Sequence, residues 1–132
     1  MIQASFFHDA LLDNHEEVET DNSSHLNGGL DDHVNSMVTL LSRNNHISSE
    51  VIDMVRVHHE RPDGLGRPRG LTHFTTLTSL FILSHEFVMN LYKIDFDEQR
   101  HNEVLTELFN NYNVGHFKKL FDALYKTLGV DP

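Results

Sequence analysis

Cysteine is absent from all 132 residues, so disulfides and thiolate metal ligands are both excluded, and any bound metal must be held by nitrogen and oxygen. No apolar run approaches the ~20 residues a membrane-crossing helix needs. The start, Met1-Ile2-Gln3, lacks the basic region and long apolar core of a signal peptide, so a cytoplasmic chain with no membrane partner is expected. Positive charge is scarce: 10 Lys and Arg against 20 Asp and Glu leave a formal charge of −10. No broad basic face can therefore neutralise a phosphate backbone, which argues against DNA as a partner. The few basic residues cluster instead, with Arg56, Arg61, Arg67 and Arg69 close together in sequence, a pattern that suits a small anionic ligand. Strand signals are also almost missing, and one all-α domain over 1–132 is expected.

Against these absences stand eleven histidines. Two are adjacent, in His58-His59-Glu60-Arg61-Pro62-Asp63-Gly64-Leu65-Gly66-Arg67-Pro68. Val51, Ile52, Met54, Val55 and Val57 recur before them at helical spacing, so a helix starting near Ser48-Ser49 buries one side and carries both imidazoles along its inner edge. The loop from Glu60 to Leu71 has three glycines and two prolines, which excludes helix and fits a shaped turn.

The same periodicity organises the rest. A short apolar piece, Ala4 to Leu12, precedes a polar stretch, Asp13 to Asn27, that is expected to be an exposed loop. Asp31 or Asp32 then caps a helix whose inner face carries His33, Met37, Leu40 and Leu41, and Asn44-Asn45 ends it. Thr75 to Tyr92 is expected to form a long, largely buried helix, followed by helices over Glu98 to Tyr112 and His116 to Leu128, with Gly129 as a stop. Phe109, Tyr112, Phe117, Phe121, Leu124, Tyr125 and Leu128 share a packing face, which serves as core or as a dimer surface.

His8-Asp9 interrupts an apolar run, so at least one of the two points inward. His33 lies on the inner face of its helix. His85 follows Phe81 and Ile82 at spacings of four and three, which favours it over Glu86 as an inward ligand; a shift of one position reverses that choice. Imidazole and carboxylate donors on separate helices can hold a dinuclear centre, in which a carboxylate bridges two ions and a bound hydroxide attacks phosphorus.

The order and spacing of these residues resemble the HD-GYP domain, a subset of the HD phosphohydrolase superfamily. Phe7-His8-Asp9 resembles the namesake motif, and Asp32-His33 the next metal-binding histidine. The run from His58-His59-Glu60-Arg61 through Asp63-Gly64 to Gly66 and Pro68 is similar to the long family signature. Ser84-His85-Glu86-Phe87 falls where the family has Ala-Asp-any-Phe, and Asn113-Val114-Gly115-His116-Phe117 resembles its closing Gly-any-His-Phe element.

The resemblance implies a helical bundle of HD type that uses two or three divalent ions, iron or manganese, to linearise cyclic di-GMP in signal transduction. In that reading His8, Asp9, His33, His58, His59 and His85 (or Glu86) ligate metal, and Asp9 is also catalytic, bridging ions and orienting the hydroxide. Arg61, Asp63, Gly64, Gly66, Arg67 and Pro68 then form the substrate loop, with Arg61 or Arg67 facing phosphate or guanine. The sequence departs from the pattern in four places. A ligating histidine on a helix before the His-Asp motif is missing, since only seven residues precede His8, and the domain is expected to lack the family's first helix. The lysine after His-Asp is absent, Arg67 replaces the loop tyrosine, and His85 replaces an aspartate. An alternative reading is therefore a catalytically impaired module with a regulatory, nucleotide-binding or protein-interaction role.

Overall fold

A computed structural model describes residues 1–11 and 29–129. Among them are six α-helices, one 3-10 turn and no strand, so the fold is all-α as the periodicity predicts. The helices are α1 (Ile2–Phe7), α2 (Gly29–Ser42), α3 (Ser49–Val57), α4 (Thr76–Lys93), α5 (His101–Tyr112) and α6 (Gly115–Leu128). They fall into two compact units, Met1–His58 and His59–Pro132. The predicted loop Asp13 to Asn27 lies outside the described residues.

In the first unit α3 packs on both α1 and α2. Ser48 caps α3 by accepting a hydrogen bond from the Val51 amide, and Val51, Met54, Val55 and Val57 turn inward. From α2 come Val34, Met37 and Leu41. Leu40, expected on this face, is 52% exposed instead; the inner stripe runs through 33, 34, 37 and 41, with Val34 in the place expected for Leu40. α2 also begins at Gly29, ahead of both aspartates expected to cap it. α1 is shorter than its apolar run: it ends at Phe7, buries only Ala4, and leaves Ile2 and Phe6 exposed. Six residues are fewer than two turns, and one small inward side chain lets α1 lie close to α3.

In the second unit α4 packs on α5 and α6, which also meet each other. Thr75 caps α4 through the Thr78 amide. Phe81, Ile82 and Leu83 are buried, while Leu77, Leu80, Val88 and Tyr92 are exposed, so α4 is amphipathic rather than largely buried. Glu98–Arg100 is a 3-10 turn leading into α5. Tyr112, Phe117 and Phe121 supply much of the aromatic core, whereas Leu128 at the end of the same stripe is 39% exposed. Gly129 terminates α6 in the left-handed conformation at φ +67, its amide bonded to the Tyr125 carbonyl. That conformation crowds a Cβ and suits glycine.

Ahead of α4, the segment from Glu60 to Leu71 is shaped by one carboxylate. Glu60 is completely buried, and its Oε1 and Oε2 accept hydrogen bonds from the Arg69 and Leu71 amides at 2.7 Å and 2.8 Å. The Arg67 amide bonds to the His59 carbonyl at 3.0 Å. Gly66 sits where a Cβ would overlap backbone atoms of Glu60 and Arg61. Only glycine closes this loop without moving its backbone.

Candidate metal centre

The geometry of the first unit follows from two helix ends and one helix face. His8 caps the C-terminus of α1, His58 caps the C-terminus of α3, and His33 points from the inner stripe of α2. All three meet Asp9. Its Oδ2 lies 3.1 Å from His8 Nε2, and its Oδ1 lies 3.3 Å from His58 Nε2 and 3.5 Å from His33 Nε2. His58 is fully buried and His33 is 5% exposed, while His8 and Asp9 are half-buried, so the cluster has a dry inner side and an accessible outer one.

Hydrogen bonds elsewhere on the rings fix which nitrogen faces the carboxylate. His8 Nδ1 donates to the Ser5 carbonyl at 3.0 Å and His58 Nδ1 to the Val55 carbonyl at 2.6 Å. A carbonyl oxygen only accepts, so the hydrogen sits on Nδ1 and, in a neutral ring, Nε2 presents a lone pair. Two such lone pairs aimed at one carboxylate repel it. A cation among them turns that repulsion into coordination, and backbone-anchored imidazoles are the usual arrangement of metal ligands.

The spacing passes the same test. Donors about 2.1 Å from a metal stand about 3.0 Å apart in an octahedron and about 3.4 Å apart in a tetrahedron. The observed 3.1 and 3.3 Å fall between those values, and the 3.5 Å to His33 lies just beyond the tetrahedral one. It is longer than the roughly 2.7–2.9 Å of charge-assisted N–H···O bonds. Asp9, His33 and His58 can therefore hold a metal ion.

The second unit contains its own group. His59, His85 and Glu86 each offer a ligand atom, and these atoms lie within 4.8 Å of one another. The His59 and His85 rings meet edge to face at 5.5 Å, and His85 Nδ1 is 3.6 Å from Glu86 Oε1. Periodicity set His85 and Glu86 against each other; the helix brings both to the same place, because adjacent residues at the edge of the buried face can reach it from either side. Consecutive residues, His58 and His59, thus serve the groups of the two units.

The expected substrate loop has a definite form. Arg61 Nη2 donates to Asp63 Oδ2 at 2.7 Å, and the guanidinium lies 5.9 Å from the centre of the Tyr112 ring. The other oxygen of Asp63 accepts from the Leu65 amide at 2.9 Å. Gly64 turns at φ +78, and Arg67 and Pro68 are half-buried and joined by a cis peptide.

Two residues escaped sequence reasoning. An acid within a Gly- and Pro-rich loop ordinarily faces water, so nothing local marks Glu60 as the buried organiser. Ser79 is 1% exposed on α4; its position three before Ile82 and four before Leu83 marked it as inward, but a small hydroxyl seldom draws notice. Comparison with protein-family models, with curated proteins and with solved structures returns no match.

Proposed function

We propose that the chain is a metal-dependent phosphohydrolase of the HD-GYP kind, with the phosphodiester of a cyclic dinucleotide such as cyclic di-GMP as its substrate. The observation that carries this reading is the Asp9 carboxylate facing three imidazole nitrogens at 3.1 to 3.5 Å, two of them on rings anchored through Nδ1. His8, Asp9, His33 and His58 would hold an ion in the first unit, and His59, His85 and Glu86 would hold one in the second. The all-nitrogen-and-oxygen donor set suits iron or manganese. Bound divalent ions supply Lewis acidity, which draws charge from phosphate oxygens and makes water a better nucleophile.

The protein's own groups would then position the reaction. The net change adds water across one P–O bond, leaving a phosphomonoester and a free hydroxyl. Asp9, acceptor-only when ionised, would orient the attacking water. Arg61 is already engaged by Asp63 and Tyr112, which suits it to holding the loop.

A second reading, a binding module without turnover, is favoured by one feature. Imidazole at His85 cannot bridge two ions as a carboxylate does, and the nearby Glu86 is the remaining candidate for that task.

The test is metal analysis alongside hydrolysis of cyclic di-GMP, with Asp9→Asn as the near-isosteric variant. Bound iron or manganese, turnover in the parent chain, and loss of turnover in Asp9→Asn at unchanged helicity are expected. Absence of metal would overturn the whole reading, and bound metal without turnover of any cyclic dinucleotide would leave the binding module.

A further inference from the structure

The second unit contains a cavity of about 640 Å³ that involves none of the clustered metal donors. Its volume is in the range of small-molecule sites, which run roughly 300–1,000 Å³. Its wall joins the N-terminus of α6 to the start of α4. Val114 precedes the helix without a side-chain cap, and no acidic residue occupies the first turn. Helix N-termini normally attract Asp or Glu, because the first amides carry uncompensated positive charge. This chain has twice as many acids as bases, yet it places His116, Lys118 and Lys119 there instead.

Four side chains give the cavity a polar end. Lys119 lines it and forms no ion pair among the described residues. The imidazoles of His73 and His116 line it too, each with Nδ1 taken up by a threonine: Thr72 Oγ1 at 2.9 Å and Thr76 Oγ1 at 3.1 Å. The decisive group is Ser79. It lines the cavity, is 1% exposed, and its Oγ makes no hydrogen bond among the described residues. Helical hydroxyls elsewhere in the chain satisfy themselves on the carbonyl four residues back, as Thr39, Ser42, Thr106 and Thr127 do. A buried hydroxyl that forgoes this bond carries a desolvation cost, which a ligand oxygen in the cavity would remove. Apart from Thr72 the remaining wall is largely apolar and includes Phe74 and Phe117, whose rings meet edge to face at 5.8 Å.

We propose that this cavity binds a phosphate-bearing small molecule with an apolar substituent, its anionic group held by the α6 N-terminus, Lys119 and Ser79 Oγ, and its apolar part against Phe74 and Phe117. The site goes beyond the proposed hydrolysis and is independent of it.

The test uses the full chain stripped of metal by a chelator, so that the histidine clusters cannot bind the anion. Phenylphosphonate serves as the probe because it is a non-hydrolysable anion with one aromatic ring, and calorimetry reads its affinity. One-to-one binding is expected, with Lys119→Met weakening it about tenfold, the usual size for a hydrogen bond to a charged group. Lys118→Met, one residue along, is expected to leave it within a factor of two or so. Ser79→Ala is expected to weaken binding several-fold while leaving the ligand-free protein as stable as before or more so, since an unsatisfied hydroxyl is removed. No measurable binding, or equal losses in Lys118→Met and Lys119→Met, would overturn the proposal, the latter because it would mean diffuse charge attraction. Inorganic phosphate binding as tightly as phenylphosphonate would overturn the apolar half.

Discussion

Glu60 offers the sharpest test of how the loop after the histidine pair is held. The carboxylate is completely buried and accepts two backbone hydrogen bonds, from Arg69 and Leu71. Bonds to a charged acceptor contribute about 1.5–3 kcal/mol each. Arg69 is exposed and Leu71 half-buried, so their freed amides would reach water, and the lower end of that range applies. Glu60→Gln keeps one acceptor and aims an amide NH₂ at the other N–H, which should cost about 2 kcal/mol. Glu60→Ala loses both bonds and leaves a void, for about 4 kcal/mol. Against a total stability of about 5–15 kcal/mol these are large fractions. With a urea slope of about 1.5 kcal/mol per molar, the midpoint should fall by roughly 1 M for Gln and more than 2 M for Ala. Amide exchange at Leu71 should accelerate in both variants. An unchanged midpoint together with unchanged exchange at Leu71 would refute the role assigned to the carboxylate.

Gly66→Ala should disorder the same loop, since its Cβ would overlap Glu60 and Arg61 backbone atoms; limited proteolysis between residues 60 and 71 should accelerate, and an intact loop would contradict the fit. Phe121→Ala should destabilise by about 3–5 kcal/mol, because the ring is fully buried against Phe109 and Tyr125 and its loss opens a cavity; thermal denaturation checks this. Ser48→Ala should cost about 1 kcal/mol through loss of the α3 cap, read as a shift in melting temperature, and a neutral result would show that the 3.4 Å bond contributes nothing. Chelation of metal should lower the melting temperature of the parent chain and lower that of the double variant His8→Ala with Asp9→Asn by less, the group in the second unit being intact, since an ion bound only to the folded state stabilises by mass action.

Much of the architecture was readable in the sequence where the signal is local. Ser48 before an apolar stripe at helical spacing located α3, Thr75 located the start of α4, and Gly129 located the end of α6, because capping and left-handed termination depend on residues within one turn. Periodicity also turned His33, His58 and His85 inward, and all three are buried. It placed Leu40 wrongly, since a stripe defined by a few residues fixes the phase of a helix only to within about one position.

By itself, then, the chain determined an all-α fold, the restriction of any metal ligands to nitrogen and oxygen, and the identities of the imidazoles able to serve as such ligands. Tertiary structure decided which of them meet: α1 and α2 both pack on α3, and that packing brings Asp9, with its sequence neighbour His8, against His33 and His58. It also decided that Glu60 turns into its loop and that Ser79 faces a cavity beside the α6 N-terminus. The physical reason is that helical periodicity specifies which face of an element is buried, whereas the group opposite that face comes from residues distant in sequence and is set only when the helices pack.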